Sequence, residues 1–140
     1  MQKRSRTKGF SQKAFVFNKK GEFLTMRRTE TAPSNPLKWD LPGGDVEFGE
    51  DPFASIKREI KEETGLIAKT VIPFDVEGHI NPLHEYWITI AYKTFDTKEK
   101  LSISWEHDLY KWVTFKEFLK LKTTKKLRKF ARTLKRIQKA

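Results

Sequence analysis

The chain has 140 residues, 37% hydrophobic and 34% charged, a balance that gives a single folded globular domain and excludes a disordered chain. It has no cysteine, which excludes disulfides and thiolate metal sites. The net charge of +11 is uneven: between Lys116 and Lys139 eleven lysines and arginines stand against one acid, Glu117. Such a field draws phosphate-bearing ligands and favours loose contact with nucleic acid, two effects that charge alone does not separate.

The first ten residues, MQKRSRTKGF, are basic but lack the following apolar stretch of a signal peptide, and no segment is long enough to cross a bilayer. The expectation is a cytoplasmic protein without a membrane partner. Residues 13–18 and 22–26, separated by Lys19-Lys20-Gly21, read as a β-hairpin that ends at Arg27 and Arg28. Residues 29–38, with Pro33, Asn35 and Pro36, read as a loop of the kind that carries specificity. Trp39 reads as core, with a stacking surface for a base as the alternative. Gly43 and Gly44 allow the backbone to come close to an ion or phosphate.

Residues 52–64 read as one helix. Asp51 is its N-cap, Pro52 fits its first position, and Gly65 closes it in a left-handed turn. Phe53, Ile56 and Ile60 form its apolar stripe, while Glu59, Glu62 and Glu63 crowd a neighbouring face. Glutamates at that spacing repel by a few tenths of a kcal/mol per pair, and the helix dipole disfavours them in the C-terminal half. A hard divalent cation needs such an arrangement, because Mg²⁺ and Mn²⁺ take oxygen ligands from a few carboxylates and substrate phosphates. Arg58, beside Glu59 and one turn before Glu62, is placed to orient a carboxylate and moderate the charge.

After the helix, residues 67–77 and 85–95 read as strands, with Pro73 as an interruption and 79–84 as the connection. The second is apolar on both faces and is expected to be central in its sheet. Residues 96–101 read as a polar turn and 104–108 as a loop ahead of a strand at 110–113. His79, His84 and His107 have no metal-ligand spacing and read as structural or surface residues. Thr114 to Glu117 is a capping box that starts a helix running to about Leu121. A second helix restarts at Thr123-Thr124, with Leu127, Phe130, Ala131, Leu134 and Ile137 as its apolar stripe. That stripe reads as packing on the sheet; a membrane surface or RNA is the alternative partner for a basic amphipathic helix.

The order Gly44, Glu50, Arg58-Glu59-Ile60, Glu62-Glu63, Gly65-Leu66 fills every position of the signature, the Nudix box, that marks the Nudix hydrolases, and the chain resembles that family. A chance match of seven fixed residue types at one start point is on the order of 10⁻⁹. The resemblance implies an α/β fold, the Nudix-type α/β/α sandwich with a mixed β-sheet, over one domain, 1–140, ending in a basic helical segment at about 115–139. It implies Mg²⁺, or Mn²⁺ in its place, held by Glu59, Glu62 and Glu63 with the Gly43 carbonyl as a further ligand. It makes Glu59 the first candidate for the base and Glu106 the second, a solvated loop residue being the alternative for Glu106. Glu50 would support through hydrogen bonds or a second ion, and Arg58 would orient. Arg27 or Arg28 would touch substrate phosphate, a solvated strand end being the plainer reading.

The implied activity is hydrolysis of a nucleoside diphosphate linked to another group, first of all a nucleoside triphosphate cleaved to monophosphate and pyrophosphate. Dinucleoside polyphosphates, ADP-ribose-like compounds and RNA 5′ ends remain as alternatives. So do a nucleic-acid-binding module on the same scaffold and a metal-binding domain without catalysis. The sequence sets no oligomeric state.

Overall fold

The computed structural model describes residues 8–95 and 100–139. The order of elements is β1 (Lys8–Phe17), β2 (Phe23–Arg28), β3 (Trp39–Asp40), β4 (Gly43–Asp45), α1 (Pro52–Thr64), β5 (Val71–Ile80), β6 (Tyr86–Phe95), β7 (His107–Val113), α2 (Phe115–Leu119) and α3 (Lys125–Lys139). The strands form one mixed sheet in the order β3-β2-β1-β6-β5, with β4 added to β1 and β7 to β2.

β1 organises the sheet. It runs parallel to β6 from Lys8–Tyr86 to Phe17–Phe95, and its middle pairs antiparallel with β4, where Lys13 faces Gly43. Even-numbered residues of β1 point to one face, where Ala14, Val16, Leu24, Met26 and Tyr92 pack under Ile56 and Ile60 of α1. Odd-numbered ones point to the other, where Phe15, Phe17 and Ala91 meet Phe118 of α2 and Leu127, Phe130, Ala131 and Leu134 of α3. The period-two alternation of one strand thus builds both cores of an α/β/α sandwich.

α1 has the expected bounds and caps. Asp51 accepts the Ala54 N–H at 2.9 Å, and Gly65 takes φ 75° while its N–H reaches the Lys61 carbonyl. Phe53, on the expected stripe, is 44% exposed at its edge.

The hairpin expected at 13–18 and 22–26 forms only at its mouth, Phe17 facing Phe23. Beyond it β2 turns away to pair with β7 and β3, because its apolar residues serve both cores. β5 starts four residues later than expected, since Leu66 and Ala68 first tuck under α1, and it continues to Ile80. Pro73 sits at a register shift on this edge strand, where a missing N–H is tolerated. β6 is flanked on both sides, as its pattern requires. β7 begins at His107, so the last two residues of the expected loop at 104–108 already belong to a strand, while 104–106 stay outside it. The polar turn expected from Asp96 lies, through Glu99, outside the described residues. α2 carries the full capping box of Thr114 and Glu117. Among the described residues no helix is long and apolar enough to cross a membrane.

Candidate active site

The start of β4, the C-terminal half of α1 and the turn before β7 meet at a polar cleft of about 700 Å³. Gly43 has φ 152°, and a Cβ there would lie 1.9 Å from the Gln12 carbonyl oxygen, so the backbone approaches β1 as only glycine permits. At Gly44 a Cβ would lie 2.9 Å from the Glu59 carboxyl. The two glycines therefore open a hollow that the box glutamates enter.

Glu63 is 6% exposed and accepts the Gly43 N–H at 3.0 Å. Burial pushes its carboxyl up to about 8, against the pull of Lys13 and of the Gly43 N–H. Glu59 stands within hydrogen-bonding reach of it, and burial raises its pKa as well. These two carboxyls ask for a cation that Lys13 does not fully supply.

Arg58 holds the outer carboxylates. It donates to both oxygens of Glu62 at 3.1 Å and to Glu50 at 3.0 Å, and stands 3.5 Å from Glu59. Glu50 also accepts the Glu47 N–H at 2.8 Å, the bond that most lowers its pKa. Glu106 lines the same cleft, and its charge acts on Glu59. Its loop is fixed by two backbone bonds, Thr29 N–H to the Glu106 carbonyl and Ser104 N–H to the Glu63 carbonyl.

Of the residues singled out from sequence, Gly43, Glu59, Glu62, Glu63, Glu106, Arg28 and Trp39 line the cleft. Glu50 and Arg58 stand behind it. Arg27 is not brought in: it forms a two-pronged pair with Asp108 at 3.0 and 2.9 Å, because neighbouring residues of β2 face opposite ways. Trp39 is 8% exposed with Lys111 Nζ 5.0 Å over its ring, which fits its reading as core. His107 is buried, His84 lies in the β5–β6 turn, and His79 pairs with Glu77 at the cleft's far end.

Of the cationic wall the sequence reading singled out only Arg28 and missed the rest. Lys13 pairs with Asp40 at 2.9 Å, Arg28 with the same carboxylate at 3.4 Å, and Lys126 reaches in from α3. Lys13, a lone charge beside the apolar run Ala14–Phe17, was the one local signal for it.

The donors present fit a hard divalent cation: all are carboxylate or carbonyl oxygens, at a hollow that a side chain on Gly44 would fill. Among the described residues no three of them already converge as a closed cage, since Arg58 draws Glu62 outward.

Sheet, helical layers and carboxylate-lined cleft together define an α/β/α protein of the kind the box implies. A model of the NUDIX domain matches residues 8–134, and the chain belongs to the Nudix family of hydrolases. The MutT protein from Methanosarcina mazei Go1 superposes with a TM-score of 0.81 at 30% identity, covering 99% of this chain and 100% of that one. The RNA pyrophosphohydrolase of Acidiphilium cryptum (strain JF-5) is 38% identical over 55 residues, 39% of this chain and 34% of that protein. The ADP-ribose pyrophosphatase of Methanocaldococcus jannaschii is 45% identical over 56 residues, 39% of this chain and 31% of that protein. The matched stretches thus span about a third of the length of these two curated relatives.

Proposed function

We propose that the chain is a metal-dependent pyrophosphohydrolase that cleaves nucleoside triphosphates to the monophosphate and pyrophosphate. The observation that carries this reading is the pairing of Glu59 and Glu63 at the Gly43–Gly44 hollow, facing a wall of Lys13, Arg28 and Lys38. One wall asks for a cation and the other for an anion. A metal polyphosphate satisfies both.

Glu59, Glu62 and Glu63, with the Gly43 carbonyl, would hold Mg²⁺, or Mn²⁺ in its place. When bound, the ion supplies neutralisation of phosphate charge, a more acidic water and a stabilised leaving oxygen. The remaining steps belong to the chain. Arg28 and Lys38 bind the phosphate chain from the opposite wall. Glu59, with Glu106 as second candidate, takes the proton as water attacks one phosphorus of the α–β bridge, whose anhydride bond breaks. Glu50 and Arg58 keep the box carboxylates oriented.

A second reading, hydrolysis at RNA 5′ triphosphates, has its own support. A relative is named an RNA pyrophosphohydrolase, and the outer face of α3 exposes Lys125, Lys129, Arg132 and Arg136. The test is pyrophosphate and phosphate release from nucleoside triphosphates, oxidised nucleotides, ADP-ribose, dinucleoside polyphosphates and 5′-triphosphorylated RNA, with Mg²⁺ or Mn²⁺, beside Glu63→Gln. Turnover on triphosphates that the variant lacks supports the first reading. Turnover confined to RNA selects the second, and none from folded protein overturns both.

A further inference from the structure

The end of the cleft away from the box is built differently. On the α3 face of the sheet, Gly9 of β1 lies beside Trp87 of β6, and Ser11 lies beside Thr89. A Cβ on Gly9 would fall 2.4 to 2.6 Å from three atoms of the Trp87 ring, so the indole lies directly over the Gly9 backbone. Trp87 is only half-buried and lines the cleft, which leaves ring surface to the open space.

Above this floor stands Lys126. Most of its basic neighbours on α3 face solvent, but its Nζ turns inward and donates to Thr89 Oγ1 at 3.2 Å; that hydroxyl also bonds Ser11 Oγ at 2.7 Å. Among the described residues Lys126 forms no ion pair. The carboxylates that act on it, Glu77, Asp40 and Asp45, do so only at a distance, while Lys13 opposes its charge. Burial is the largest influence, and its pKa is lowered. A desolvated ammonium has donors only, and here they have one hydroxyl to serve. Such a group calls for an acceptor from a ligand.

We infer that this end of the cleft is a nucleobase subsite in which the base lies on Trp87 and Lys126 donates to a ring keto oxygen. Bases carrying a keto group at the edge facing Lys126, guanine, hypoxanthine and uracil, are accepted. Those carrying an amino group there, adenine and cytosine, present a donor to a donor and are disfavoured. Lys126, turned inward from the basic helix, is thereby a specificity residue. The inference rests on the reading of the cleft as a nucleotide site, and it deepens that reading by naming the base.

The experiment is equilibrium binding of GDP, IDP and ADP by calorimetry, without metal so that turnover plays no part. Wild type is compared with Lys126→Met, Lys126→Arg and Trp87→Leu, each checked for folding by circular dichroism. Wild type should favour GDP and IDP over ADP by about tenfold or more. Lys126→Met should erase that ratio, Lys126→Arg should keep part of it, and Trp87→Leu should weaken all three alike. An equal loss for GDP and ADP in Lys126→Met makes Lys126 a phosphate contact and overturns the inference, as does an unchanged ratio. If the ratio behaves as expected but no nucleotide is hydrolysed with metal, the subsite stands and the pyrophosphohydrolase reading fails. Hydrolysis with a ratio indifferent to Lys126 is the reverse.

Discussion

Glu63, near the end of α1, reaches back to accept the N–H of Gly43 at 3.0 Å, and so ties the box helix to the start of β4. A glutamine at 63 keeps an acceptor oxygen for that bond and stays neutral, as the surroundings favour: burial pushes the Glu63 carboxyl up to about 8. Glu63→Gln should therefore melt at or above the wild-type temperature in metal-free buffer while losing most turnover. Adding Mg²⁺ should raise the wild-type midpoint by mass action and the variant's much less. Glu59→Gln should lose about 100-fold or more in kcat, as the loss of a positioned base does. Thermal melts with and without Mg²⁺, beside turnover, check both, and an active Glu63→Gln protein removes Glu63 from the site.

The two glycines ahead of the box should respond differently to alanine. At Gly43 the added Cβ meets backbone, the Gln12 carbonyl oxygen at 1.9 Å, so β4 must part from β1. Gly43→Ala is expected to destabilise the fold by several kcal/mol or prevent it. At Gly44 the Cβ meets only the movable end of Glu59 at 2.9 Å. Gly44→Ala should fold with a near-native melt yet need more Mg²⁺ for half-maximal activity. Similar melts for the two variants would overturn this contrast.

What was legible in the sequence was local. Asp51 and Gly65 are capping signals that act within a turn of the helix they bound, so α1 came out as Pro52–Thr64 from the residues alone. The box glutamates were legible because their spacing is a helical one. The hairpin was misjudged because the partner of β1 is β6, more than seventy residues on, and no local pattern announces a parallel pairing at that distance. Lys13, Asp40 and Lys126 were missed for the same reason: they acquire meaning only where β1, β3 and α3 converge. Arg27 and Arg28 were indistinguishable as a pair, and the alternation of β2 then sent one to Asp108 and the other to the cleft.

That division gives a direct test. Arg28→Ala should raise KM for a triphosphate several-fold, since Arg28 lines the cleft, and it should also loosen Asp40. Arg27→Ala should leave KM and the unfolding midpoint near wild type, because its pair with Asp108 is exposed. Steady-state kinetics on both variants decide it; a larger KM change at Arg27 reverses the assignment.

Asp40 governs the acid side of stability. Burial alone would raise its pKa, but Lys13 at 2.9 Å, with Leu41 N–H and Arg28, holds it below the ordinary carboxylate range. A carboxylate depressed in this way contributes stability that is fully present above its unfolded pKa, about 3.9, and lost as pH falls through the folded value. Asp40→Asn should cost about 3 kcal/mol at pH 7, because it leaves Lys13 buried with less to pair it. Below about pH 4 the gap to wild type should close by up to roughly 1.4 kcal/mol per pH unit. Urea unfolding at pH 7 and pH 3 measures it, and a gap of the same size at both would show that the ion pair is not its source.

α3 carries most of the chain's excess charge, yet its inner stripe belongs to the fold. Phe130 is fully buried, 6.5 Å from the ring of Phe74 on β5, and it shares a core with Phe15, Phe118 and Leu134. A detachable nucleic-acid tail would not bury a phenylalanine against the sheet. Phe130→Ala should destabilise the protein by about 3–5 kcal/mol, the usual range for emptying such a site. Arg132→Ala, on the outer face of the same helix, should stay within about 0.5 kcal/mol of wild type, as exposed substitutions do. Chemical unfolding of the two variants separates the roles. If Phe130→Ala unfolds with wild-type stability, α3 is an appendage, and the nucleic-acid-binding reading of the basic helix takes precedence.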